Sequence, residues 1–342
     1  MKTSRGATSV RTLPPVVFRL RTPIAAGLLL AVLAAGAARA GEARPASVRA
    51  FVAAEGEARL VAFDLGSASV LRRIPVAPGP HNVTASADGR LVLVTSPPSG
   101  RVTLVAAGTL RVVKVFAGFG SPHDVKFTPD GRFAYVTDER RGTLVVLDLL
   151  RRRVAGELNV GVRPHDVAVS PDGKWVWVTH GRSEPWITVV RARSSGQLRL
   201  AGRASGGGAP HDVAFSPDGS RVWVSYWEGG AVGAFDARSR RLRLRARVGV
   251  EPHHLALDAA GRRVWITDNA AGRVIILAAA TGQRLRTTLV GSRPHHVAVL
   301  GGRAVVAVHD AGAVIVLGPG GRSITTVRVG AGPHGIALAQ VP

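Results

Sequence analysis

No cysteine occurs among the 342 residues, which excludes disulfides and thiolate metal sites alike. Acidic residues are scarce: 22 Asp and Glu stand against 45 Lys and Arg, a formal net charge of +23. Long hydrophobic runs are missing too. The apolar run from Ile24 to Ala37 spans 14 residues, short of the roughly 20 that cross a bilayer, and no later stretch reaches that length.

The start of the chain reads as a targeting segment. Lys2, Arg5, Arg11, Arg19 and Arg21 precede the apolar run, and Ala38-Arg39-Ala40 follows it with small residues at the two positions a signal peptidase reads. Cleavage is expected before Gly41. No adjacent arginine pair precedes the run and no cysteine follows it, which argues against twin-arginine export and a lipid anchor. Residues 1–40 are thus expected to be a signal peptide, 41–47 a linker and 48–342 one domain. The mature chain is expected in the periplasm or outside the cell, without a membrane span and as a monomer. About 300 residues bury a large core without staples.

Removing the six basic residues of the signal takes the charge from +23 to +17, still an invitation to anionic partners. The arginines, however, are dispersed. The densest run, Arg241-Leu242-Arg243-Leu244-Arg245-Ala246-Arg247, alternates with period two, so its arginines share one side of a strand. They are expected on solvated outer strands, where charge discourages edge pairing. Nonspecific contact with anionic envelope polymers follows; specific nucleic-acid binding has no recognition motif to rest on.

Against these absences stands one repeated feature. Pro80-His81, Pro122-His123, Pro164-His165, Pro210-His211, Pro252-His253, Pro294-His295 and Pro333-His334 place their histidines 42, 42, 46, 42, 42 and 39 residues apart. A period near 40 with strand-like contents marks a propeller, one blade per repeat. After Pro164, the segment Val167-Ala168-Val169 is a short strand, Ser170-Pro171-Asp172-Gly173 a tight turn, and Trp175 to Thr179 a second strand. Thr143 to Asp148 typifies the third strand and Arg286 to Val290 the basic fourth. Residues 48–79 hold strands two to four without a Pro-His strand, while Pro333 to Leu338 is a first strand with nothing after it. Joining them gives an all-β, seven-bladed propeller of four-stranded antiparallel blades, its ring closed by the C-terminal strand.

Tyr135-Val136-Thr137-Asp138 and the repeated Ser-Pro-Asp-Gly turns resemble the YVTN-type propeller repeats of exported proteins. That resemblance covers residues 48–342 and implies a fold rather than an activity.

Opening strand one and closing strand two place residues at the same end of each hairpin. This pairs His81 with Ser96, His123 with Asp138, His165 with His180, and His211 with Tyr226. It also pairs His253 with Asp268, His295 with His309 and His334 with Glu55. As strand one is innermost, these side chains are expected together at one mouth of the channel. A histidine common to every blade suits a scaffold role, fixing the corner between blades, and Asp124, Asp166 and Asp212 suit capping of the same corner. Departures from the repeat suit function: Glu251, His253, His254, Asp268, His295, His296 and His309 concentrate in one sector. Imidazole with carboxylate suits zinc, copper or iron, and carboxylates alone suit magnesium.

Glu251-Pro252-His253 with Val264-Trp265-Ile266-Thr267-Asp268 is similar to the active-site blade of the virginiamycin B lyase family. The resemblance implies His253 as general base, Glu251 and Asp268 as metal ligands and His211 as a substrate contact. His254 stands where that motif has glycine, and Asp268 is a methylene shorter than the family's glutamate. Two functions are therefore expected of one face. The first is binding of a small molecule, a divalent ion or another envelope protein through His180, His211, His254, His295, His296 and His309. The alternative is a metal-dependent lyase using His253.

Overall fold

The computed structural model describes residues 47–342. The expected signal peptide, its cleavage point and most of the linker lie outside the described residues. Among the described residues no helix is long and apolar enough to cross a membrane.

Seven four-stranded antiparallel sheets follow one another along the chain. Blade 1 is the composite one. Its inner strand Pro333–Val341 pairs with Ser47–Ala54, which is followed by Arg59–Asp64 and Val70–Pro75. Arg49 faces Ala339 and Phe51 faces Ala337 in that junction, so the last strand closes the ring and leaves no free inner edge. Blade 2 opens at Val83, blade 3 at Pro122, blade 4 at Val167, blade 5 at Val213, blade 6 at Pro252 and blade 7 at Pro294.

The first hairpin of a blade is held by its turn chemistry. In blade 4 the Ser170 hydroxyl donates to Asp172 Oδ1 at 2.6 Å and accepts from the Trp175 N–H at 2.9 Å. Gly173 takes φ +70° there, a conformation that favours glycine. Thr128 with Asp130 and Ser216 with Asp218 repeat the device.

Packing between blades is apolar. Trp177, Trp223 and Trp265 occupy the same place in strand two and are almost wholly buried. Trp177 meets Phe215 and Phe235 of the next blade edge to face. In the basic outer strand Leu242–Arg247, Leu242, Leu244 and Ala246 are half-buried while Arg243, Arg245 and Arg247 are exposed. That is the alternation which the period of two predicts.

A hydroxyl near the end of strand two links five of the seven blades to the next, blades 1 and 7 having Ala53 and Ala307 there. Thr95, Thr137, Thr179, Ser225 and Thr267 donate to the backbone carbonyls of His123, His165, His211, His253 and His295, at 2.6–2.8 Å. These bonds fix the backbone of five Pro-His corners relative to the previous blade, and so fix where those histidine side chains sit.

Candidate functional site

Seven imidazoles form a closed ring at one end of the channel. Each touches the next: His334–His81 and His123–His165 have centroids 3.7 Å apart, and no neighbouring pair is further apart than the 4.8 Å of His253–His295. All seven side chains are buried or half-buried. Burial pushes most of them toward the neutral form. His211 falls to about 3 through burial and the neighbouring His165, and His295 to about 4 through burial and His309. His81, His253 and His334 are lowered for the same first reason.

His123 is the exception. Burial opposes its charge, but a contact of 3.3 Å from Nδ1 to Asp166 Oδ1, with Glu139 and Asp124 nearby, raises it to about 8. The Asp166 carboxyl pays for burial, yet His165 and His123 hold it well below the usual carboxylate range. Glu139 Oε1 lies 2.7 Å from His165 Nδ1. One donor atom each from His123, His165 and Asp166 fall within 4.8 Å of one another, and this is the candidate metal centre among the described residues.

A second tier lies one residue along from each ring histidine: Asn82, Asp124, Asp166, Asp212, His254, His296 and Gly335. The role expected of its aspartates is capping of the corner between blades, and Asp212 Oδ1 accepts from the Val213 N–H of its own strand at 2.7 Å. Asp124 accepts from the Val167 N–H at 3.1 Å and Asp212 from the Leu255 N–H at 2.7 Å, each joining the next blade. Lys126 reaches both Asp124 oxygens at 2.9 Å. Asp212 is raised well above the ordinary range by burial and by Asp166. His254 stacks on His296 at 3.9 Å, and burial with Lys126 nearby lowers it to about 3.

The sector expected around His253 assembles in part. His253, His254, His295 and His296 lie together, and His309 is 5.0 Å from His295. Asp268 is wholly buried, and its carboxylate is taken by the N–H groups of Val250 and Glu251 and by Arg273 at 2.9 Å. It holds the loop before Pro252, as Asp138 holds Gly120 and Ser121. Gly249 must be glycine because a Cβ there would collide with the Asp268 carboxylate. His180 likewise bridges the Val162 carbonyl and the Thr188 hydroxyl, each at 2.8 Å, and Tyr226 donates to the Gly206 carbonyl at 2.6 Å. The expected gathering of these strand-two closing side chains at the channel mouth is therefore corrected: they turn back onto their own loops.

The next residue along turns the other way. Glu139 meets His165, and Trp227 packs on His211 at 4.7 Å and His253 at 5.4 Å. Two expected pairings also shift by one. Val308, not His309, faces Pro294, and Ala54, not Glu55, faces Pro333. Sequence reasoning passed over Glu139, Trp227 and Lys126; the signal for the first two was their variability at a fixed offset, where Pro97, Gly181 and Asn269 also stand.

A family model described as cytochrome D1 heme domain matches residues 90–193, from blade 2 into blade 4. A comparison with curated proteins finds no match. Among solved structures the chain is similar to a functionally unknown protein from Desulfotomaculum acetoxidans, with 17% identity and a TM-score of 0.76, over 86% of this chain and 99% of that one. Apo AztD from Citrobacter koseri matches at 13% identity and a TM-score of 0.69, over 86% and 98%. The dihydro-heme d1 dehydrogenase NirN, in complex with DHE, matches at 17% and 0.64, over 82% of this chain and 63% of that one. At these identities the likeness is one of fold. A tetrapyrrole does not fit inside this ring: the imidazoles fill it by mutual contact, and both ring nitrogens of His295, though without hydrogen bonds, are enclosed.

Proposed function

We propose that the chain is an exported binding protein that takes a divalent transition-metal ion at the histidine ring, through His123, His165 and Asp166. The convergence of three donors within 4.8 Å carries this reading. Two imidazoles and a carboxylate suit zinc, copper or nickel better than magnesium, which prefers oxygen alone. Glu139 against His165 Nδ1 is the carboxylate partner that orients a metal-bound imidazole. Export rests on the basic start, the apolar run and Ala38-Arg39-Ala40, and the Ser-Pro-Asp-Gly turns resemble those of YVTN-type repeats in exported proteins.

The lyase alternative asks Glu251 and Asp268 to hold a metal beside His253. The Asp268 carboxylate already serves two backbone N–H groups and Arg273, so no observation favours that reading over simple binding. Titration of the metal-free mature protein with zinc, copper and nickel tests the proposal. One ion bound at micromolar concentration or tighter is expected, with binding weakened at least tenfold by His165→Ala. Undetectable binding of all three ions removes it.

A further inference from the structure

A cleft of about 1090 Å³ lies at the other end of the blades, between blades 3 and 4 and beside their Pro-Asp-Gly turns. It owes nothing to the histidine ring. Three departures from the repeat build it.

The first is in the outer strand of blade 3, Arg153–Asn159, where Gly156 faces Val146. A Cβ added to Gly156 would meet no atom within 4 Å. Gly202 holds the same register in blade 4, opposite Val189, but a Cβ there would fall 2.6 Å from the Arg240 guanidinium. The equivalent space is filled between blades 4 and 5 and open between blades 3 and 4.

The second is the one long repeat. The step from His165 to His211 is 46 residues instead of 42, and the strands Trp186–Ala192 and Leu198–Ser205 are each one residue longer than their blade 3 counterparts. Their connecting turn is closed by Gly196 N–H to the Arg193 carbonyl at 2.9 Å. Gly196 takes φ +83° and lies so close to Phe133 that a Cβ would fall 2.9 Å from its ring. The lengthened hairpin thus docks on blade 3 and walls the cleft.

The third is Tyr135, at the place where blades 4, 5 and 6 carry Trp177, Trp223 and Trp265. It is 1% exposed and lines the cleft, and its hydroxyl, which bonds no described residue, is open to the cleft rather than sealed in the core. A buried aromatic ring with a free polar tip is a ready anchor for a ligand. Phe133, Val146, Ala192 and Leu198 supply apolar walls around it.

We propose that this cleft is a second binding site, for an uncharged, mainly apolar small molecule whose carbonyl or ether oxygen accepts a hydrogen bond from the Tyr135 hydroxyl. The volume suits a drug-sized ligand, and apolar walls with one placed polar group are the usual composition of such sites. Burial raises the Tyr135 phenol to about 12, so it remains a donor throughout the neutral range. Seven charged residues line the cleft. Asp130 and Asp172 are occupied by their own turns, Lys174 pairs with Asp172, Arg191 lies over the Trp175 ring, and Glu157, Arg193 and Arg199 are exposed to solvent, which screens them.

Prodan, an uncharged naphthyl ketone whose emission reports polarity, tests the proposal on the mature protein. Saturable binding with a blue-shifted emission is expected. Gly156→Leu, which fills the open space, should abolish it, and Tyr135→Phe should weaken it about threefold to tenfold by removing one hydrogen bond. Gly108→Leu, at an exposed glycine in blade 2 with equal room, should leave it unchanged, and melting curves verify that each variant is folded. If Gly156→Leu unfolds the protein, Tyr135→Phe decides alone. No saturable binding, or binding indifferent to Gly156→Leu or to Tyr135→Phe, overturns the site.

Discussion

Nε2 of His165 lies 3.1 Å from Nε2 of His211. Each ring has a different partner on its far side. His211 Nδ1 faces the His253 carbonyl at 3.3 Å and must carry a proton, and burial keeps the ring neutral, so its Nε2 is bare. Glu139 Oε1 lies 2.7 Å from the other nitrogen of His165. A carboxylate, two imidazoles and a backbone carbonyl thus follow one another along a third of the ring.

The first prediction concerns that tautomer. Nitrogen-15 spectra at pH 7 should show His211 neutral with its proton on Nδ1, and its ring should stay neutral down to about pH 4. A charged His211 at pH 6 would contradict this tautomer.

Acid should unfold the protein early. His211, His254 and His295 have folded-state values of about 3, 3 and 4, all below the value of about 6.5 of an unfolded histidine. Between these limits the unfolded chain binds protons that the folded ring refuses, so stability falls as pH drops below about 6.5. Each such histidine contributes a slope of up to about 1.4 kcal/mol per pH unit. His123 has the opposite sign: its contribution is complete below about 6.5 and is lost as pH rises through about 8. Melting temperature against pH should therefore drop steeply on the acid side and gently above pH 7.

Asp268 gives a third prediction. Asp268→Ala removes the acceptor of the Val250 and Glu251 N–H groups and leaves Arg273 unpaired, and should cost about 3 kcal/mol of stability. Metal stoichiometry should not change. Loss of metal with unchanged melting would instead make Asp268 a ligand.

The blade count was legible because a period needs no atomic detail, and the split closure because Pro333 to Leu338 and residues 48–79 are each other's missing part. The site was harder to read, for a reason of one residue. Successive strand side chains point to opposite sides, so mistaking the closing residue of strand two for the one beside the ring exchanges Asp138 for Glu139 and Tyr226 for Trp227. In blade 7 the tight turn is two residues shorter than its counterparts: Val299 faces Ala304 across it, where Leu257 faces Val264 in blade 6. An offset shortened by only one residue then overshoots from Val308 to His309. The convergence of His123, His165 and Asp166 joins adjacent blades, and no spacing within a single repeat reveals it.

Metal affinity against pH, measured by zinc titration of the metal-free mature protein from pH 6.5 to 9, tests the central claim most directly. The ligand nitrogen of His123 must shed its proton before it coordinates. Affinity should rise by about tenfold per pH unit up to about 8 and then level off, and His123→Ala should weaken binding and flatten the curve. Zinc binding that ignores both pH and His123→Ala would contradict the account.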